Sequence, residues 1–116
     1  NISMENKFFS AVRKGDTEDL KRIINNLSFN QRNRLLNLQT QTTNLSALHL
    51  AAKGGFLDIC EILFEESSKE LALDLTNTDE RTPLHFAAMK GHLDICEFLV
   101  ENGAILDPQD IFFHYF

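Results

Sequence analysis

The hydrophobic positions of this chain recur in two closely similar blocks, residues 46–66 and 82–102, which are 36 residues apart. Twelve of their 21 aligned positions are identical. A weaker third copy lies 40 residues upstream of the first block, at residues 8–24. In each copy the apolar residues follow the spacing of one stripe on an α-helix. The stripes are Ile59, Cys60, Leu63, Phe64 and Ile95, Cys96, Leu99, Val100. In the first copy the same positions read Asp19, Leu20, Ile23, Ile24, so one flank is polar, as an end repeat requires.

Each block also predicts a second, shorter helix ahead of that stripe. In the last block Thr82 is a helix N-cap, Pro83 suits the first helical position, and Gly91 can end the helix in a left-handed conformation. The next helix begins near Leu93 and stops at Gly103. Helices this short are marginal alone, so three helix-turn-helix units must be stabilised by stacking on one another.

Residues 82–104, TPLHFAAMKGHLDICEFLVENGA, resemble an ankyrin repeat, whose pattern runs TPLHxAA, GH, a Leu-rich helix and GA. The resemblance extends to the middle block and, as a degenerate N-terminal cap, to residues 6–26. It implies an all-α ankyrin-repeat solenoid of about three helix-turn-helix units with short β-hairpin-like loops. We expect one domain over residues 1–116, with units at about 4–40, 41–75 and 76–110 and an irregular aromatic tail at 111–116.

The spacing departs from the family period of about 33 residues, which places extra residues in 27–40 and 67–73. Residues 31–36 and 68–73 contain helix formers without Gly or Pro, so we expect each insertion to lengthen a helix or add a helical turn. Asn44 and Glu80 replace the Gly expected in the hairpin turns. Because Glu adopts a positive φ less readily than Asn, we expect a distorted hairpin at Glu80.

Composition narrows the classes of function. The net charge of −6 argues against nucleic-acid binding, and no apolar run is long enough to insert into a membrane. Two cysteines are too few for a disulfide scaffold, which favours reduced thiols and a cytoplasmic protein. The charge is also uneven, with a net of +3 over residues 1–37 and −9 over residues 38–116, so we expect an electrically polar molecule.

Four residues invite a chemical interpretation, His49, His85, Cys60 and Cys96. The two histidines occupy one motif position, where the resemblance implies a structural hydrogen bond between adjacent repeats. The cysteines lie in the apolar stripe, where buried thiols are inert. Metal-ligand spacings, phosphate-binding loops and nucleophile motifs are absent from the sequence. We therefore predict no metal, no cofactor and no enzymatic activity.

The resemblance implies a protein-protein interaction module that binds a partner on the concave face of hairpin tips and first helices. Phe56 and Met89 are the predicted anchors, although Phe56 packing over the turn is an equal alternative. Carried over by position, the face comprises Arg13, Lys14, Asp16, Thr42, Thr43, Leu45, Lys53, Gly54, Phe56, Thr78, Asp79, Arg81, Met89, Lys90 and His92.

The C-terminal end leaves alternatives open, because no polar cap follows the last stripe. Three alternatives follow from this. The chain is part of a longer repeat array, residues 111–116 fold back as a cap, or the chain self-associates through the uncapped end. A start at Asn1 and a break inside a repeat favour a further alternative, the targeting arm of a larger enzyme, channel or secreted effector.

Overall fold

The computed structural model describes residues 3–68 and 70–106, and these form an all-α fold of seven helices without an assigned strand. The aromatic tail at 111–116, and with it the predicted cap, lies outside the described residues. The helices are α1 Met4–Lys14, α2 Thr17–Asn25, α3 Phe29–Leu36, α4 Ala47–Gly54, α5 Leu57–Glu66, α6 Pro83–Met89 and α7 Leu93–Glu101.

Six of the described helices form three pairs, α1 with α2, α4 with α5, and α6 with α7. The first helices α1, α4 and α6 stack in one layer, and α5 of the second layer packs on both α2 and α7. The pairs at Ala51-Ala52 and Ala87-Ala88 are buried in the first layer, where small side chains let the helices approach closely. The solenoid architecture is therefore confirmed.

Local signals set the helix ends as predicted. Ser46 and Thr82 cap α4 and α6 in capping boxes completed by the imidazoles of His49 and His85. Gly55 ends α4 with a φ of 78°. This left-handed conformation is costly for residues with a Cβ, which explains why glycine stands here. It turns the chain sharply, so that the next helix packs against the first.

The first insertion forms a helix of its own. Ser28 starts α3 with a capping box to Gln31, and Leu35 and Leu36 are buried against the core. The side chain of Arg32 reaches across to the next unit, with its guanidinium 3.5 Å from the Glu66 carboxylate. The predicted helical turn is confirmed here.

The described residues of the second insertion are not helical, so the helical turn predicted at 68–73 is wrong for residues 68 and 70–73. Helix α5 ends at Glu66, and residues 70–73 carry no helix. Leu71 and Leu73 are buried while Ala72 between them is half-buried, an alternation typical of extended chain. The backbone N–H of Ala72 donates to Asn37 Oδ1 at 3.0 Å. Burial of two leucines in a non-helical segment outweighs helix propensity here.

The distortion expected in the hairpin turn at Glu80 is not observed. Glu80 adopts a φ of 60°, close to the 59° of Asn44 in the preceding hairpin. The Asn77 side chain compensates, because its Oδ1 accepts hydrogen bonds from the backbone N–H groups of Asp79 and Arg81 at 3.0 and 2.9 Å.

One position of the last stripe is exposed, while the other three are buried. Ile95, Cys96 and Leu99 are buried, but Val100 is 41% exposed. Its counterpart in the middle unit, Phe64, is covered by Phe98 of the next unit, with the ring centroids 5.8 Å apart. Within residues 3–68 and 70–106 no fourth unit follows to cover Val100 in the same way.

Candidate functional site

The C-terminal ends of the three first helices lie side by side in a row. A methyl group at Gly15, which follows α1, would come within 2.6 Å of the Phe56 ring in the middle unit. A methyl group at Gly55, which follows α4, would come within 2.8 Å of the His92 ring in the last unit. The His92 Nε2 atom is also 3.3 Å from the Lys53 carbonyl oxygen. Each turn therefore packs on the helix end before it.

This arrangement brings together four exposed cations that we call the basic row, Arg13, Lys14, Lys53 and Lys90. Arg13 and Lys14 lie in the last turn of α1, Lys53 lies in the last turn of α4, and Lys90 is the residue that follows α6. Among the described residues none of the four takes part in an ion pair. The Arg13 guanidinium lies 5.8 Å from the centroid of the Phe9 ring.

The hairpin turns extend the same surface. The backbone N–H of Thr78 donates to the Thr43 carbonyl oxygen at 3.2 Å, which joins the tips of the two hairpins. From the base of the second hairpin, Arg81 Nη1 reaches Met89 Sδ at 3.2 Å. Hairpin and helix end are thus continuous, and Met89 remains 42% exposed.

The residues predicted from sequence fall into two groups by exposure. Leu45, Phe56, Arg81 and His92 are partly buried, whereas eleven are exposed, namely Arg13, Lys14, Asp16, Thr42, Thr43, Lys53, Gly54, Thr78, Asp79, Met89 and Lys90. The Phe56 ring packs over the turn against Gly15 and Gly54, as the alternative interpretation described. Met89 is therefore the more accessible of the two predicted anchors.

Sequence reasoning missed the contribution of the first insertion to this surface. Helix α3 places Arg34 beside α1, with its Nη2 atom 2.8 Å from Glu5 Oε1. Arg34 and Arg13 line a groove of about 590 Å³ together with Phe9 and Gln39. The Gln39 side-chain amide links the two hairpins, because its Nε2 atom donates to the carbonyl oxygens of Asn44 and Thr76 at 2.9 and 2.8 Å. The only available signal was the pair of arginines within the inserted residues.

Exposed anions are most numerous on the second helices, although Asp16 and Asp79 belong to the predicted face. Asp58, Glu61 and Glu65 of α5 recur in the same register as Asp94, Glu97 and Glu101 of α7, and all six are exposed. Neither helix has a basic residue in its last turn. In each of these two units, the first helix is therefore followed or ended by a lysine, and the second helix carries three exposed carboxylates.

His49, Cys60 and Cys96 are buried among neighbours that favour a structural role over a chemical one. Burial lowers the pKa of His49, whose Nε2 atom is 2.9 Å from the Arg81 carbonyl oxygen. Burial, followed by the charge of Asp94, raises the pKa of Cys60 to about 12 and that of Cys96 to about 11. Across the part of the chain that the structure describes, no group of three or more His, Cys, Asp or Glu residues could hold a metal ion.

Comparison with known proteins agrees with the geometry. The family model described as ankyrin repeats, three copies, matches residues 8–110. A search of curated proteins finds no significant match. None of the described helices is both long enough and apolar enough to cross a membrane.

Proposed function

The chain belongs to the ankyrin-repeat family, and from this we propose that it binds a protein partner on its concave face without catalysing a reaction. Ankyrin repeats are generally protein-protein interaction modules, and the family is typically not catalytic. We assign partner binding to Arg13, Lys14, Asp16, Thr42, Thr43, Leu45, Lys53, Gly54, Phe56, Thr78, Asp79, Arg81, Met89, Lys90 and His92.

The observation that carries the proposal is the contact between successive helix ends. Because Phe56 packs on Gly15 and His92 packs on Gly55, exposed side chains from three units lie on one surface. The hydrogen bond from the Thr78 N–H to the Thr43 carbonyl oxygen likewise holds the two hairpin tips next to each other. A rigid surface loses little conformational entropy when a partner binds, and this favours affinity.

Met89 is the proposed central anchor of this face. Its thioether is exposed, adapts to different partner shapes, and lies beside the Arg81 guanidinium. Truncation of such an anchor costs about 1–3 kcal/mol of binding free energy. Phe56 contributes mainly by fixing the turn on which Gly54 and Lys53 are presented.

We place this activity in the cytoplasm, in keeping with the two free cysteines and the family assignment. The same face would serve if the chain acts as the targeting arm of a larger protein. Self-association through the last unit is a second candidate role, which the exposed side chains of Leu93 and Val100 favour.

Site-specific photo-crosslinking in cytosol tests the proposal without altering charge. A photoreactive amino acid replaces Thr42 or Met89 on the face, and replaces Asn25 or Asn30 as matched exposed controls. We expect a protein adduct from Thr42 or Met89 and none from the asparagine positions. Adducts only at the controls, or at no position, would overturn the proposal.

Light scattering on the same samples tests the second role. A monomer over the working concentration range is expected for a chain that binds a foreign partner. A mass that rises with concentration and falls after Val100→Glu would instead assign the chain to self-assembly.

A further inference from the structure

In the middle and last units, the general preference for cations at helix C-termini does not by itself account for the basic row. Lys and Arg there are stabilised by the helix dipole, and all helices share that dipole. Yet α5 and α7 have no basic residue in their last turns, where α5 carries Glu65 and α7 carries Glu101. In the middle and last units a cation therefore lies in or directly after the last turn of the first helix and not of the second, whereas in the first unit α2 also carries Arg22 in its last turn.

The cations of the basic row fall at two adjacent positions of the repeat motif. Arg13, Lys53 and Met89 occupy one motif position, and Lys14, Gly54 and Lys90 occupy the next. Each first helix thus presents at least one cation at its end, although the chain as a whole has a net charge of −6. A basic strip on an acidic molecule attracts anions at the strip and repels them elsewhere.

The groove of the first unit already holds a carboxylate. Arg34 binds the side chain of Glu5 there, and Arg13 lines the same groove without an ion-pair partner among the described residues. Phe9 supplies an aromatic wall under the Arg13 guanidinium. The geometry suits a second carboxylate entering beside Arg13, because Arg binds carboxylates through paired N–H donors.

We infer that the partner presents an acidic segment of protein, with Asp or Glu side chains lying along the basic row and entering the groove at Arg13. This inference rests on the proposed function and adds the chemistry of the partner. A polypeptide is favoured over nucleic acid because the groove beside Arg13 already holds a carboxylate, that of Glu5 bound by Arg34.

Fluorescence anisotropy with two labelled peptides tests the inference, one of alternating Glu and Ser and one of alternating Lys and Ser. We expect the Glu peptide to bind, to weaken as salt is added, and to outcompete the Lys peptide. Lys53→Glu with Lys90→Glu should weaken the Glu peptide by about tenfold or more, since two attractions become repulsions. Lys53→Gln with Lys90→Gln should give a smaller loss.

The matched control reverses two lysines outside the row. Lys7→Glu with Lys21→Glu makes the same change in net charge at two exposed helical positions. We expect affinity within about twofold of the native chain, after circular dichroism has shown native helix content for every variant. Equal losses in both pairs would overturn the inference, because they would report net charge alone. No binding of the Glu peptide, or preference for the Lys peptide, would also overturn it.

Two other acidic occupants are distinguished by the same samples. Tighter binding of a single-stranded deoxythymidine oligomer that is also lost with Lys53→Glu and Lys90→Glu would identify a nucleic acid and overturn the inference. A concentration-dependent dimer that the same substitutions abolish would identify the acidic helices of a second copy, with the same consequence.

Failure of this inference differs from failure of the proposed function. If Thr42 and Met89 still crosslink to a protein after charge reversal, and the Glu peptide does not compete, the face binds a partner that is not acidic. If those positions give no adduct in the native chain, the proposed function itself fails.

Discussion

The Nε2 atom of His49 lies 2.9 Å from the carbonyl oxygen of Arg81, and this bond ties the middle unit to the last one. On the other side of the ring, Nδ1 accepts a hydrogen bond from the Ser46 backbone N–H at 3.1 Å. Nδ1 is therefore the unprotonated nitrogen, and Nε2 is the donor to Arg81. One neutral imidazole thus caps α4 and joins two repeats.

Replacing His49 by Phe should therefore destabilise the fold although the ring volume is retained. The Arg81 carbonyl and the Ser46 N–H would lose their partners in a buried site, which costs about 1–3 kcal/mol. Urea unfolding followed by circular dichroism measures the change. Lys90→Ala, at an exposed position, is the control and should stay within about 0.5 kcal/mol of the native chain. Equal midpoints for His49→Phe and the native chain would contradict the role of the bond.

Stability should also decrease on acidification below about pH 6.5. Burial lowers the pKa of His49 below its usual 6.5 in the folded chain, so the unfolded chain takes up this proton first. The stabilisation is complete above pH 6.5 and is lost as the pH falls from there toward the folded pKa. Unfolding midpoints measured across this window, with an NMR titration of the ring, check the direction. The slope attributable to this residue should vanish in His49→Phe, and a His49 that titrates above 6.5 would contradict the prediction.

The sequence predicted those parts of the fold that depend on local or repeated signals. Thr82, Pro83 and Gly91 mark the bounds of α6 by capping chemistry alone, and the repeated stripe identifies the buried face of α5. Exposure of eleven of the fifteen predicted face residues also followed from register. These features need no knowledge of distant contacts.

Features that depend on tertiary contacts were not predictable in this way. Residues 70–73 include helix formers, but they are not helical, and Leu71 and Leu73 are buried in the core. Val100 belongs to the stripe by spacing, yet its exposure depends on whether another unit packs there. Arg34 joins the candidate site only because α3 folds back on α1.

Both cysteines should be unreactive in the native chain. Burial raises the pKa of Cys60 to about 12 and that of Cys96 to about 11, so almost no thiolate is present near pH 8. A disulfide reagent such as DTNB should modify neither thiol before the chain unfolds, and should modify both in urea. Rapid modification of either one under native conditions would contradict the assigned packing.

Two neighbouring residues of α7 test the register of the stripe. Leu99 is fully buried and Val100 is 41% exposed. Leu99→Ala should cost about 2–5 kcal/mol and unfold the stack cooperatively, because the repeats stabilise one another. Val100→Ala, the matched control, should cost less than about 1 kcal/mol. The two variants are compared by thermal and urea unfolding. Similar losses of stability would mean that α7 is rotated about its axis, so that Leu99 and Val100 are equally buried.

A double-mutant cycle at the helix ends tests the packing that forms the row. Gly15 and Gly91 have similar φ values, 68° and 75°, but only Gly15 lies against Phe56, and no described atom is within 4 Å of a methyl group at Gly91. Gly91→Ala should therefore cost only the left-handed backbone penalty, about 1–2 kcal/mol. Gly15→Ala should cost about 1–3 kcal/mol more, since the Phe56 ring must move.

The excess should disappear in a Phe56→Ala background, where Gly15→Ala should cost about the same as Gly91→Ala. Unfolding free energies of the four chains in the cycle, with Gly91→Ala measured in both backgrounds as control, give the coupling. A coupling near zero between Gly15 and Phe56 would mean that the ring does not pack on the end of α1. The first two units would then lack the contact that aligns Lys14 with Lys53 on one surface.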